Sequence, residues 1–157
     1  MSMTSRTAAD ILLIGYGNGL RGDDAVGVRV VEAVAAWKLP GVRALAVHQL
    51  TPELSEDIAA AHHVVFVDAT TEPTICEVQV RPLDAGAVEP GGSHRSDSRA
   101  LLALARVLFG QSPPAWLVVV SAADFAFGAP LSVLAQRGVE AALARLRQFC
   151  AERAARE

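Results

Sequence analysis

Two carboxylates and one imidazole, Asp24, Asp68 and His94, are the side chains whose types and places in the chain could do chemistry together. Asp24 lies in a glycine-rich turn after the first apolar run, Asp68 directly follows a later apolar run, and His94 sits in a glycine- and proline-bearing loop. They stand 44 and 26 residues apart, too far for a local motif, so only a fold that gathers strand ends would bring them together. Two oxygen donors and a nitrogen donor with positions left open suit a borderline divalent ion such as nickel or zinc. Each residue also has a plainer role. Asp24 can stabilise a helix N-terminus, Asp68 can cap the turn after its strand, and His94 can be a solvated loop residue.

Other catalytic templates are absent. No HExxH helix and no GxxxxGK[ST] loop occur, and Gly91-Gly92-Ser93-His94-Arg95 fails the GxSxG elbow at its last glycine. Cys76 falls in a predicted strand and Cys150 near the end of a helix, so neither reads as an activated thiolate. Two cysteines give no disulfide framework and fit a reducing, cytoplasmic setting. The sequence assigns no ligand role to His48, His62 or His63, and Arg21-Gly22-Asp23 matches an adhesion tripeptide only by coincidence.

The glycine turn also invites a nucleotide reading, since Gly17-x-Gly19-x-x-Gly22 matches the dinucleotide fingerprint literally. Counted from the strand end, however, Gly15-x-Gly17-x-x-Leu20 lacks the third glycine that lets helix and strand pack closely. Asp23 and Asp24 stand where a pyrophosphate needs a positive helix end, and the second strand ends in His48-Gln49 without an acid for a ribose hydroxyl. A Rossmann-like nucleotide binder is therefore the rival reading. Asp23 itself reads as the N-cap of the helix that follows.

The elements that must position these residues alternate. Ile11 to Ile14 is a strand buried on both faces, and a helix runs from Asp23 to about Lys38, where Pro40-Gly41 stops it. Val42 to Val47 is a second strand. Thr51-Pro52-Glu53 opens a second helix with Leu54 and Ile58 facing inward. Val64 to Val67 and Ile75 to Leu83 are strands, Ser98 to Phe109 a helix, Trp116 to Val120 a strand, and Leu131 to about Arg153 a final helix. This order predicts an α/β fold: one three-layer domain over residues 1–157, with a twisted, mostly parallel sheet, helices on both faces and a disordered tail over residues 1–9. Ligands of such sheets sit beyond the carboxyl ends of the strands.

Composition narrows the partners. A 157-residue chain that is 52% hydrophobic buries a core without disulfides or a structural metal, so any metal would be functional. A net charge of −3 argues against nucleic acid. The longest nearly uncharged window, Ala115 to Ala135, is broken by Asp124, Gly128 and Pro130, and the N-terminus carries no secretory pattern, so neither membrane insertion nor export is expected.

Three segments taken together resemble one family. They are Ile11-Leu-Leu-Ile-Gly-Tyr-Gly-Asn-Gly-Leu-Arg-Gly-Asp-Asp-Ala-Val-Gly27, Val64-Val-Phe-Val-Asp-Ala69, and Ser93-His94 followed by the Leu101 to Gly110 helix. In order and spacing they resemble the hydrogenase maturation endopeptidases, and Asp124 to Ser132 is similar to the family's stretch before its last helix. The resemblance spans roughly residues 10 to 150, and its GxGNxLxxDDxxG opening is the most specific part.

The resemblance implies a nickel-dependent peptidase that removes a C-terminal peptide from the precursor of a NiFe hydrogenase large subunit after nickel insertion. It also implies that Asp24, Asp68 and His94 bind the metal, which would be the substrate's nickel and not a resident ion. Asp68 could instead serve as general base. Two departures stand out: many members carry glutamate at the position of Asp24, and an Asp-Gly-Gly-Thr stretch where this chain has His48-Gln49-Leu50-Thr51. A non-catalytic nickel-handling or chaperone-like partner of the precursor is the alternative, since a fold does not guarantee activity.

Overall fold

A computed structural model describes residues 9–85 and 94–154, without the side chains of residues 94–96. The expected N-terminal tail lies outside the described residues apart from residue 9.

Strand β1 (Ile11–Tyr16) is buried at all six positions, because strands flank both its edges and helices cover both its faces. It pairs in parallel with β2 (Val42–Val47) on one side and β3 (His63–Thr70) on the other. Beyond β3 comes the parallel β5 (Ala115–Ser121), and β4 (Val78–Leu83) closes that edge antiparallel to β5. The order is therefore β2-β1-β3-β5-β4. Pro82, which cannot donate to a ladder, is tolerated because β4 is an edge strand.

Helices α1 (Val26–Ala36) and α4 (Val133–Ala154) cover one face; α2 (Leu54–Ala60) and α3 (His94–Phe109) cover the other. Strand alternation sorts the core between them. Leu12, Ile14 and Tyr16 of β1 join Val64 and Phe66 of β3 on the α2/α3 side, while Ile11, Leu13, Val65 and Val67 meet α1 and α4. Burial of a side chain such as Phe66 or Ile58, both 0% exposed, contributes about 1.5–3 kcal/mol.

The mostly parallel three-layer sheet agrees with the sequence reading; several boundaries differ, each for a physical reason. Gly22 has φ +52, a left-handed turn, and Asp23 N–H donates to Asp124 O at 2.7 Å, so Gly22–Ala25 tightens into a 3-10 turn and α1 starts at Val26, not Asp23. β3 runs on to Thr70 because Thr70 still pairs with Ser121, which places Asp68 inside the strand and not after it. Glu77 at φ +63 interrupts the expected fourth strand, leaving Cys76 exposed in the turn before β4. α3 begins at His94, four residues earlier than its apolar periodicity suggests, so His94 is a helix residue and not a loop residue.

One close approach fixes the site end of the molecule. A Cβ on Gly27 would meet Val67 O at 2.5 Å and Tyr16 O at 3.0 Å, and one on Gly15 would collide with the Gly27 carbonyl. Helix α1 therefore touches the backbones of β1 and β3, a distance that only glycine permits. The turn between β1 and α1 is pressed against the strand ends.

Candidate active site

The turn after β1 is organised around two acids that point in opposite directions. Asn18 N–H donates to Asp24 Oδ2 at 2.7 Å, and Leu20 N–H to Asn18 Oδ1 at 2.9 Å. Gly17, at φ +145, lies so close that a Cβ would strike the Asp24 carbonyl. Asp24 is half-buried, and among the described residues its Oδ1 has no hydrogen-bond partner. The Asn18 amide is one of the donors a bound phosphate would need, and a carboxylate already takes it. The geometry thus opposes the nucleotide reading.

Asp23 is not the helix cap that local sequence suggests. It is 0% exposed, and its carboxylate reaches the segment after β5. Ala123 N–H and Asp124 N–H donate to Oδ2 at 2.7 and 2.9 Å, and Ser132 donates from its hydroxyl to Oδ2 at 2.6 Å and from its N–H to Oδ1 at 2.8 Å. Burial alone would raise this carboxyl; the hydrogen bonds from Ser132, Asp124 and Ala123 outweigh it and hold the group below the ordinary carboxylate range. Asp23 is a structural anchor, which leaves Asp24 as the chemically available acid of the pair.

Asp68 is 6% exposed and accepts Ala69 N–H on Oδ1 at 2.8 Å. Parallel register sets Gly15 opposite Val67, so the next pair along the strands is Tyr16 and Asp68, both on the α3 side. The Tyr16 phenol is pushed far above its usual range, first by burial, then by the Asp68 charge and by Asp97.

A cavity of about 290 Å³ opens at this end of the sheet, lined by Tyr16, Asn18, Asp24, His48, Gln49 and Asp97 among others. It lies beyond the carboxyl ends of β1 and β2, where ligands of parallel sheets are expected. An adjoining groove of about 230 Å³ runs between the loop after β2 and α3, sharing Leu50 and Asp97 with the cavity and adding Pro52, Leu101 and Leu104. The cavity gives room for a polar reaction centre, and the groove for an extended apolar segment beside it. The cavity on the α4 side, about 250 Å³ around Trp116 and Phe149, holds none of the candidate residues.

Asp24 and Asp68 thus reach the same end of the sheet, Asp24 on the cavity wall and Asp68 through Tyr16, which is also on the wall. His94 starts α3, one turn before the wall residue Asp97; its side chain is outside the described residues. Among the described residues no three histidine, cysteine or acidic side chains group closely enough to hold an ion. Sequence reasoning missed Tyr16 and Asp97. The signal for Tyr16 was the alternation Leu12, Ile14, Tyr16 matched against Val64, Phe66, Asp68; Asp97 carried none, since the first turn of α3 has no apolar period.

No family model matches the chain, and no curated protein matches it. Solved structures do. Hydrogenase maturating endopeptidase HybD from E. coli matches with a TM-score of 0.73 and 24% identity, over 90% of this chain and 92% of its own. The NiFe hydrogenase maturation protease HycI from Thermococcus kodakarensis KOD1 matches with a TM-score of 0.70 and 27% identity, over 95% of this chain and 94% of its own. Hydrogenase 2 maturation peptidase from the Thaumarchaeota archaeon SCGC_AB-539-E09 has a TM-score of 0.68 and 20% identity, over 90% and 97%. The fold is therefore one that solved peptidases share. Among them its structural neighbours are the hydrogenase maturation endopeptidases, the family its opening motif resembles.

Proposed function

We propose that this chain is the endopeptidase that removes a C-terminal peptide from the precursor of a NiFe hydrogenase large subunit once nickel has been inserted. The observation that carries the reading is the cavity at the carboxyl ends of β1 and β2, walled by Asp24 and by Tyr16, the strand neighbour of Asp68, in a chain whose neighbours are named as hydrogenase maturation proteases. Asp24, Asp68 and His94 are the residues assigned to engage the nickel that the precursor carries. An ion already held by the precursor's own ligands needs few from the processing enzyme, and carboxylate and imidazole are donors that nickel accepts.

The ion near the scissile peptide would polarise its carbonyl and make a bound water acidic enough to attack at neutral pH. The chain's own contribution is placement. Asn18 N–H fixes one Asp24 oxygen, Ala69 N–H fixes one Asp68 oxygen, and the groove along Leu50, Leu101 and Leu104 offers apolar side chains to the peptide. No helix among the described residues is long and apolar enough to cross a membrane, and the reaction is assigned to the cytoplasm with the precursor.

The test is mass spectrometry of the large-subunit precursor from the same cell, incubated with this protein with and without nickel loading. Loss of one discrete C-terminal peptide, only from the loaded precursor, is the expected result. An intact, verified nickel-loaded precursor that still binds the protein would overturn the peptidase reading in favour of a non-catalytic nickel-handling partner.

A further inference from the structure

We propose that Tyr16 is a positioning residue for the cleavage, its buried hydroxyl holding the Asp68 carboxylate in one orientation at the cavity. The inference rests on the reading of Asp68 given above and assigns a role to a side chain outside the Asp24, Asp68 and His94 set. Its basis is the strand register: Gly15 pairs with Val67, so Tyr16 and Asp68 are neighbours on adjacent parallel strands and point to the same side. Tyr16 is 3% exposed and Asp68 6% exposed, so little water competes for either group.

The rest of the Tyr16 stripe, Leu12 and Ile14, is purely apolar, and packing alone would be served by phenylalanine. A buried phenol instead brings an O–H that has to find an acceptor. The strand register sets beside it the Asp68 carboxylate, whose Oδ1 is already tethered by Ala69 N–H at 2.8 Å. Two tethers, one from the backbone and one from a rigid ring, fix a carboxylate that would otherwise rotate about its terminal torsion.

Tyr16→Phe keeps the ring and deletes only the donor. Steady-state cleavage of nickel-loaded precursor should lose about tenfold or more in kcat, since a hydrogen bond to a charged group is of that size, with KM unchanged. The second measurement needs no activity: the Asp68 side-chain carboxyl resonance, followed by carbon-13 NMR in aspartate-labelled protein, should shift in Tyr16→Phe while the other aspartates stay in place. An unchanged kcat, a rise in KM alone, or an unmoved Asp68 resonance overturns the proposal. If the wild-type chain cleaves nothing, the proposed function fails on its own account, and the Asp68 resonance still decides whether Tyr16 orients that carboxylate.

Discussion

Ser132 grips Asp23 twice across 109 residues of chain, its hydroxyl on Oδ2 at 2.6 Å and its backbone N–H on Oδ1 at 2.8 Å. Together with the Ala123 and Asp124 amides, this pins the turn that presents Asp24 to the segment leading into α4. Asp23 and Asp24 are chemically identical neighbours in sequence, and the fold gives one to the scaffold and the other to the cavity.

The Asp23 carboxyl is held low by those donors, so its charge favours the folded state. That stability is fully present above the unfolded-chain value near 3.8 and is lost as pH falls through the lower folded value. Asp23→Asn presents an amide N–H₂ to donors and should cost about 3 kcal/mol at pH 7. Urea unfolding at stepped pH should show the wild-type losing more stability than the variant between pH 7 and the acid limb; parallel curves would contradict the assignment.

Gly27→Ala should destabilise by about 2 kcal/mol or more, because its Cβ meets the Val67 carbonyl oxygen at 2.5 Å and backbone cannot swing aside. Gly19→Ala is the control. Nothing lies within 4 Å of a Cβ there, and its melting temperature should stay within a degree or two of wild type.

Asp68→Asn should abolish processing of the nickel-loaded precursor, and so should Asp24→Ala. Pull-down of the loaded precursor separates the two roles open to Asp68. Association kept without cleavage identifies a general base, and association lost together with cleavage identifies a ligand.

His48 and Gln49 are exposed on the cavity wall, in the loop where the resembled family carries an Asp-Gly-Gly-Thr stretch. Replacing both with alanine should raise KM for the precursor about tenfold, with kcat within about twofold, the signature of lost substrate binding without lost transition-state contacts. A fall in kcat at constant KM would move these residues into the chemistry.

Much of this architecture is legible in the sequence because it is written locally. Ile11 to Ile14 reads as a strand since burial between neighbours demands a continuous apolar run, and Val42 to Val47, a partly exposed edge strand, reads as one from its β-branched and aliphatic residues despite Arg43. Asp24 and Asp68 stand out because they follow such runs. What escaped is set by distant contacts. Asp68 looks like a strand end, yet the ladder with β5 continues two residues past it to Thr70. Asp23 looks like a helix cap, yet its partners lie 100 or more residues further along. The first turn of α3 is polar, so no hydrophobic period announces it.

The long reach of Asp23 also sets an order of events during synthesis. A growing chain can pair β1, β2 and β3 once they have left the ribosome, but the turn carrying Asp24 stays unbraced until residues 123 to 132 have emerged as well. The nascent protein is thus unfinished for most of its translation, and the end that carries Asp24 is braced among its last acts.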